Sequence, residues 1–154
     1  MKTKTIITEL TQEDLVDLLC TATYGSMWLS CYAPDRKGVN ITEGDCMEDV
    51  WAKCLLAGKK IYCIDHYAEY GETHGTLPHK NDEDGNTAYL VSLQDILDGL
   101  QKCADGTFID ADNDHAGEYL LSCVNTFKEN DGGMDNPQAE ALMQIILFGE
   151  LIYG

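Results

Sequence analysis

Cysteine and histidine side chains that could bind a metal are concentrated in one short stretch of the chain. Cys63, His66, His74 and His79 follow one another as C-x2-H-x7-H-x4-H. Thiolate and imidazole are ligands that zinc prefers, and Asp65 could orient a neighbouring histidine. The alternative is that these residues bind no metal, because Cys63 faces away from His66 if this stretch is a strand. The two later histidines then lie in a polar loop, where histidine is usually solvated.

Three aspartates alternate along the chain in the way that ligands do at the start of a calcium loop. These are Asp110, Asp112 and Asp114. The sixth position of such a loop should be glycine but is His115, and the twelfth should be glutamate but is Leu121. We interpret the aspartates as acids at the start of a helix, where the helix dipole stabilises negative charge. A weak divalent-cation site is the alternative.

The sequence lacks the motifs of the common enzyme classes. It contains no GxSxG, no Walker loop, no GxGxxG and no HExxH. Seven cysteines and four histidines could assemble a nucleophilic pair, but nothing local favours one cysteine over another. The cysteines form no CxxC pair, which favours small buried thiols in a reducing cytosol. We therefore predict a protein that is not an enzyme and has no cofactor.

Negative charge dominates the second part of the chain. The first 60 residues carry 7 basic and 9 acidic residues, whereas the remaining 94 carry 3 and 18, a net charge of −15 out of −17. Such a protein repels nucleic acid and anionic membranes, and it attracts a basic partner. The plain alternative is that the acids keep the protein soluble. The residues predicted to bind a partner are Asp82, Glu83, Asp84, Asp110, Asp112, Asp114 and Glu118.

A second group of residues could bind a small molecule such as a nucleotide. Aromatic rings stack on bases, and lysine or arginine side chains bind phosphates if they converge. The candidates flank the first two predicted strands. They are Trp28, Tyr32, Arg36, Lys37, Lys59, Lys60 and Tyr62.

The elements that must position these side chains follow from the spacing of apolar residues and from capping signals. Thr11 with Asp14, Asp45 with Glu48, and Ser92 with Asp95 predict the starts of the first three helices. The segments M-W-L-S-C-Y-A, I-Y-C-I-D-H-Y and T-A-Y-L-V predict three strands, with a long polar stretch at 68–86 before the last. A fourth helix follows F-I-D-A-D-N-D.

The last stretch, Pro137–Tyr153, predicts a helix that is apolar on most sides and therefore central to the core. It is too short and too interrupted to span a bilayer. The element order predicts a single α+β domain over residues 1–154, with a small three-stranded mixed sheet and about five helices. The first two strands could pair in parallel through a crossover, and the last two in an antiparallel fashion. An open sheet face or edge could then be covered by a second copy.

Two segments, T-A-T-Y-G-S-M-W-L-S-C at the end of the first helix and I-L-F-G-E-L-I-Y-G at the terminus, resemble a family of proteins. That family comprises small acidic uncharacterised proteins from bacteriophages, prophages and conjugative elements of Gram-positive gut bacteria. The resemblance covers about two thirds of the chain and implies no catalytic or ligand residues. It implies an accessory protein of a mobile element, acting in a bacterial cytosol.

Charge and resemblance together predict a non-enzymatic protein that binds a basic or nucleic-acid-binding host protein and interferes with it. An acidic mimic of nucleic acid that inhibits a defence system, of anti-CRISPR or anti-restriction type, fits this description. The alternatives are a protein that sequesters a nucleotide signal and a metal-binding protein. The opening segment M-K-T-K-T-I-I-T-E-L-T has no apolar signal-peptide core, which favours the bacterial host cytosol.

Overall fold

The computed structural model describes residues 6–129 and 133–153. The first five residues, which belong to the segment inspected for a signal peptide, lie outside that range. The described helices are α1 (Gln12–Thr23), α2 (Met47–Leu56), α3 (Leu93–Asp105), α4 (Ala116–Glu129) and α5 (Asn136–Phe148). The strands are β1 (Leu29–Tyr32), β2 (Ile61–Asp65), β3 (His79–Asn81) and β4 (Thr87–Val91). The chain is therefore an α+β fold with five helices, as predicted.

Two helix starts are formed by the capping boxes that the sequence predicted. The Thr11 side chain accepts the N–H of Asp14, whose carboxylate accepts the N–H of Thr11, and Ser92 and Asp95 repeat this exchange. The predicted Asp45 cap is wrong by one residue. Helix α2 begins after Cys46, because Asp45 instead bonds the N–H of Thr42 and the ammonium of Lys53.

The sheet has four strands in the order β1-β2-β4-β3, and all of its pairs are antiparallel. The predicted three-stranded mixed sheet is therefore wrong, although the antiparallel pairing of β2 with β4 is confirmed. The connection through α2 returns to the end of the sheet that it left, so Tyr32 lies opposite Tyr62. An ion pair between Lys59 and Asp35, 3.0 Å long, joins the two ends of that connection.

The fourth strand comes from the long polar stretch. Its residues His79–Asn81 pair with β4, and a turn joins the two strands. The Asp82 carboxylate shapes that turn by accepting the backbone N–H groups of Asp84 and Asn86 at 2.9 Å. Part of the polar stretch therefore extends the sheet.

Helix α5 is buried over Ala139 and 141–148 and packs against α1, α3 and α4. It ends at Phe148, with Gly149 in the left-handed conformation, and so the predicted continuation to Tyr153 is wrong. A left-handed residue is the usual way to stop a helix, and glycine adopts it without steric cost. Among the described residues, no helix is both long enough and apolar enough to cross a membrane.

The chain folds back after Gly149 and runs beside the helix that it has just left. The Gln144 side chain holds this returning segment by accepting the N–H groups of Ile152 and Tyr153 and donating to the carbonyl of Tyr153. The phenol of Tyr153 donates to a carboxylate oxygen of the buried Asp65 at 2.6 Å. The last residues therefore connect α5 to the end of β2.

Candidate functional site

The first two predicted metal ligands lie on opposite faces of the sheet. Cys63 is buried, with its sulfur 3.8 Å from that of Cys31 across the strand pair. His66 is exposed and its Nε2 lies 2.7 Å from the hydroxyl of Ser30. Alternation along β2 separates the two side chains, as the alternative without a metal predicted.

The other two histidines have separate local partners. The imidazole of His74 lies 3.1 Å from the carboxylate of Glu72 and packs edge-on against Phe148. His79 is exposed and its Nδ1 lies 3.2 Å from the carbonyl oxygen of Leu77. In the described part of the chain, no three His, Cys, Asp or Glu side chains are grouped so as to hold a metal ion. Cys63, His66, His74 and His79 therefore do not form the ligand set that the sequence suggested.

The predicted nucleotide-binding residues are divided between the two ends of β1. Trp28 precedes this strand, is 3% exposed and accepts the N–H of His66 through its carbonyl. Tyr32 and Tyr62 pair across the strands at the other end, where the connection through α2 also begins and ends. The strand therefore separates the indole from the basic candidates. Those at the far end are Arg36, Lys37, Lys59 and Lys60.

The basic candidates themselves make local interactions. Lys59 pairs with Asp35, and the guanidinium of Arg36 donates to the carbonyl of Ala33 at 3.3 Å. An ammonium group from the edge strand, that of Lys80, lies 4.7 Å from the centre of the Tyr62 ring and occupies its face. The site that would stack a base on an aromatic ring while binding its phosphate is thus not assembled by these residues.

The predicted partner-binding acids form two groups on the surface. Glu83 and Asp84 are exposed at the β3–β4 turn, where Asp82 is half-buried. The second group is exposed between α3 and α4. It comprises Asp110, Asp112, Asp114 and Glu118.

The second acidic group lies on an unusual backbone. Asp110, Asp114 and His115 all have positive φ angles, near 60°, 49° and 60°. Non-glycine residues rarely adopt this region, and aspartate is among those that tolerate it best. A hydrogen bond from the backbone N–H of Ile109 to the carbonyl of Gly149 connects the start of this segment to the end of α5. The acids are thereby placed beside the returning C-terminal residues.

A cleft with a volume of about 630 Å³ lies where the returning residues meet α5, α4 and the residues before β1. A second cleft of about 330 Å³ shares Tyr119 and Leu151 with it. We refer to the two together as the aromatic groove. Its apolar walls are formed by Met27, Trp28, Tyr67, Ile109, Tyr119, Leu151 and Tyr153.

The aromatic rings of the groove support one another. The rings of Trp28 and Tyr153 are centred 5.3 Å apart, and Tyr67 meets Tyr153 edge-on at 5.4 Å. Such tilted and edge-on arrangements are the favoured ones for aromatic pairs. Because Asp65 and Gln144 hold Tyr153 in place, the wall is formed before any ligand arrives.

Among the described residues, the charged side chains that line the groove are all acidic: Glu140 lies in the larger cleft, and Asp110 and Asp114 lie in the smaller one. Burial raises the pKa of Tyr119 to about 12, with the neighbouring Cys123 adding to the effect. Burial and the carboxylate of Asp65 raise the pKa of Tyr153. Both phenols are neutral at pH 7, as a tyrosine with its ordinary pKa also is, and the face of a tyrosine ring attracts a cation.

Sequence reasoning identified only part of this site. It named Trp28 as a ligand residue and Asp110 and Asp114 as partner-binding residues, but it placed them in different sites. It did not name Tyr119, whose side chain is 42% exposed, as a site residue. The usable signal was the set of aromatic side chains beside the predicted strands, which includes Trp28.

No protein-family model, curated protein or solved structure matches the chain. The resemblance to proteins of mobile elements therefore stays a prediction.

Proposed function

We propose that this is a non-enzymatic accessory protein of a phage or mobile element, which binds a basic host protein and interferes with it. The observation that carries the proposal is that the seven predicted partner-binding acids form no ion pair with lysine or arginine among the described residues. Both Lys–carboxylate ion pairs of the described residues, Lys53–Asp45 and Lys59–Asp35, lie within the first 60 residues. Six of the seven predicted partner-binding acids, all but the half-buried Asp82, are exposed.

The predicted partner-binding acids illustrate this difference. None of the seven forms an ion pair with lysine or arginine in the described part of the chain. Glu118 has a histidine nearby, since its carboxylate lies 3.6 Å from the imidazole of His115. Unpaired surface carboxylates produce a negative potential that speeds association with a basic surface and weakens as salt is added. A nucleic-acid-binding host protein offers such a surface. The phage context comes from the sequence resemblance alone.

The state of the thiols supports a non-enzymatic role. Burial raises the pKa of Cys54 and Cys103, and it raises that of Cys123 to about 11. Because the thiolate is the reactive form, these cysteines are poor nucleophiles at neutral pH. They act as small apolar side chains of the core.

The alternative role, sequestration of a nucleotide signal, draws less support from the structure. Trp28 and the basic candidates lie at opposite ends of β1, and the aromatic groove is lined by carboxylates. Phosphate groups would be repelled there. A thermal-shift screen with cyclic and linear nucleotides checks this, since a large stabilisation by a nucleotide would favour the alternative.

The proposal is tested by adding the protein to purified CRISPR and restriction nucleases while NaCl is raised from about 0.05 to about 0.5 M. We expect inhibition of at least one nuclease, weakening about tenfold or more over this range. A variant in which Asp110, Asp112 and Asp114 are each replaced by Asn should inhibit less well. A matched control replaces Glu9, Glu13 and Glu43 by Gln, which changes the net charge equally in the first part of the chain.

Two outcomes contradict the proposal. The electrostatic mechanism would be rejected by inhibition that salt does not affect, or by inhibition that is the same in the Asp110, Asp112 and Asp114 variant as in its control. A lack of inhibition across the panel, at protein concentrations that saturate a basic test protein, would reject the proposed inhibitory role.

A further inference from the structure

We propose that the aromatic groove is the docking site for a basic, amphipathic segment of the partner protein, with an arginine or lysine side chain seated between the tyrosine rings and the carboxylates. This inference rests on the proposed function and assigns a place and a binding mode to it. It follows from three properties of the groove: its exposed apolar surface, its two adjoining clefts and the sign of its charge.

Exposed apolar side chains are concentrated in the groove. Met27 is 79% exposed, Ile109 56% and Tyr67 50%, and Tyr119 and Leu151 are exposed beside them. Apolar groups left in contact with water at one place indicate an interaction surface, whereas single exposed apolar residues need no explanation. Tyrosine is also among the residues that are enriched where proteins meet.

The two clefts adjoin one another, because Tyr119 and Leu151 line both. The larger one, at about 630 Å³, is within the usual range of about 300–1,000 Å³ for ligand pockets. The smaller one lies toward the segment between α3 and α4. Adjoining clefts of this kind accommodate several consecutive side chains of an extended or helical segment.

The charges select which segment can bind. The described residues that line the groove include Glu140, Asp110 and Asp114 but no lysine, arginine or histidine. A cation on an aliphatic stem satisfies both features of such a groove, because its stem covers apolar surface while its charge meets carboxylates. The guanidinium group of arginine also stacks on tyrosine rings.

Other occupants fit less well. A second copy of this chain would bring a net charge of −17 to a surface that is already acidic. A purely apolar segment would bury the carboxylates at the rim without a partner, which costs free energy. A basic amphipathic segment avoids both penalties. The groove is also preformed, because Gln144 and Asp65 fix its C-terminal wall, and so little ordering is needed on binding.

The position of Trp28 provides a direct test. The chain contains two tryptophans, and replacing the other, Trp51 of α2, by Phe leaves Trp28 as the sole indole reporter in the groove wall. The probes are short synthetic peptides in which arginine alternates with leucine and phenylalanine, at strand spacing in one set and helix spacing in another. A matched set replaces each arginine by citrulline, which keeps the shape and removes the charge. Free arginine amide and spermidine serve as small cations.

We expect at least one arginine peptide to change the Trp28 fluorescence with a Kd in the micromolar range, and its citrulline form to bind about tenfold or more weakly. Tyr119→Ala and Glu140→Gln should each weaken binding about tenfold. Tyr70→Ala and Glu13→Gln are the matched controls, since neither residue lines the groove, and both should bind as the parent does. Free arginine amide and spermidine should bind far more weakly than the peptide.

Several results would overturn the inference. It is wrong if no arginine peptide binds, if the citrulline form binds equally well, or if Tyr119→Ala and Glu140→Gln bind like their controls. Equal affinity for spermidine would identify a free organic cation as the occupant and reject a protein segment. Circular dichroism of each variant shows that it is folded, so that a loss of binding is assigned to the groove.

The two proposals fail in different ways. If Tyr119→Ala still inhibits a nuclease in a salt-dependent manner, the proposed function stands and the groove is not the contact. If the arginine peptides bind but no nuclease is inhibited, the groove inference stands and the inhibitory role falls.

Discussion

Asp65 is the residue whose role changes most between sequence and structure. Its position between Cys63 and His66 suggested a carboxylate that orients a metal ligand. In the fold it is fully buried and accepts the N–H groups of Tyr67 and Ala68 as well as the phenol of Tyr153. A buried carboxylate must be hydrogen-bonded in this way to offset its lost hydration. The role of Asp65 is therefore to anchor the returning C-terminal residues to the sheet.

Tyr153→Phe tests this anchor. The change removes one hydrogen bond to a buried charged group and leaves the ring in place, so we expect the free energy of unfolding to fall by about 1.5–3 kcal/mol. Urea denaturation followed by circular dichroism measures the effect. The control is Tyr70→Phe, since the Tyr70 side chain is 83% exposed. Equal stability of the two variants would show that the bond to Asp65 contributes nothing.

Single residues show what the sequence could and could not predict about the site. The exposure of the acids at 110–114 could be predicted, because charged side chains usually lie at the surface. The position of Tyr153 could not be predicted, because it depends on Gln144, nine residues earlier, and on Asp65, 88 residues away. A contact between such distant residues leaves no local pattern. The predicted metal site failed for a related reason, since spacing along the chain does not show which way each side chain points.

At the scale of elements, α3 and α5 pack unusually closely through Gly99 of α3. A β-carbon at this position would lie 2.5 Å from Cγ1 of Ile146 and 2.6 Å from its α-carbon, so a side chain there would meet the backbone of α5. Glycine is normally unfavourable within a helix by about 0.5–1 kcal/mol relative to alanine. The close approach of the two helices offsets that cost.

Gly99→Ala should therefore destabilise the protein even though alanine favours helices. We expect a loss of about 1–3 kcal/mol in the free energy of unfolding, because α3 must move away from α5. Gly44→Ala is the control, since a β-carbon there meets nothing within 4 Å. Urea denaturation of both variants decides the matter. A Gly99→Ala variant as stable as its parent would show that the two helices can separate at no cost.

The segment just before α2 contains an ion pair between Asp45 and Lys53, which should make the stability of the protein pH-dependent. The hydrogen bond from Lys53, together with the N–H of Thr42, lowers the pKa of Asp45 from its usual value of 3.8. A group whose pKa is lowered on folding contributes stability above its unfolded value, and this contribution is lost as the pH falls through the folded value.

We expect the wild type to be more stable than Asp45→Asn at pH 7, and this difference to shrink as the pH falls below about 4. Urea denaturation at a series of pH values measures it. Glu43→Gln, at an exposed position nearby, serves as the control and should follow the wild type throughout. A difference between wild type and Asp45→Asn that stays constant with pH would rule out the ion pair as its source.

Sequence patterns predicted the elements better than their arrangement. The capping boxes at Thr11 and Ser92 are local, and both were identified correctly. The direction of β1 relative to β2 depends on where the connection through α2 returns, which the sequence alone does not specify. The end of α5 was missed because apolar residues continue beyond Gly149, so that the hydrophobic pattern outweighed the stop signal.

For the whole molecule, the dominant feature is a net charge of −17 with a pI near 4.3. Repulsion among these carboxylates destabilises the compact state, and the same repulsion provides the field that would attract a basic partner. The two effects are linked, because salt screens both. Salt should therefore stabilise the free protein while it weakens the proposed complex.

We expect the Tm at pH 7 to rise by several degrees as NaCl increases from about 0.02 to about 0.5 M, with a much smaller rise near pH 4.3, where the net charge vanishes. Differential scanning calorimetry at both pH values provides the measurement. Replacing Asp110, Asp112 and Asp114 by Asn should reduce the rise at pH 7, because fewer charges remain to be screened. A Tm that falls with salt would show that the ion pairs of Lys53 and Lys59 outweigh the repulsion, and the acidic surface would then be too weak to attract a partner.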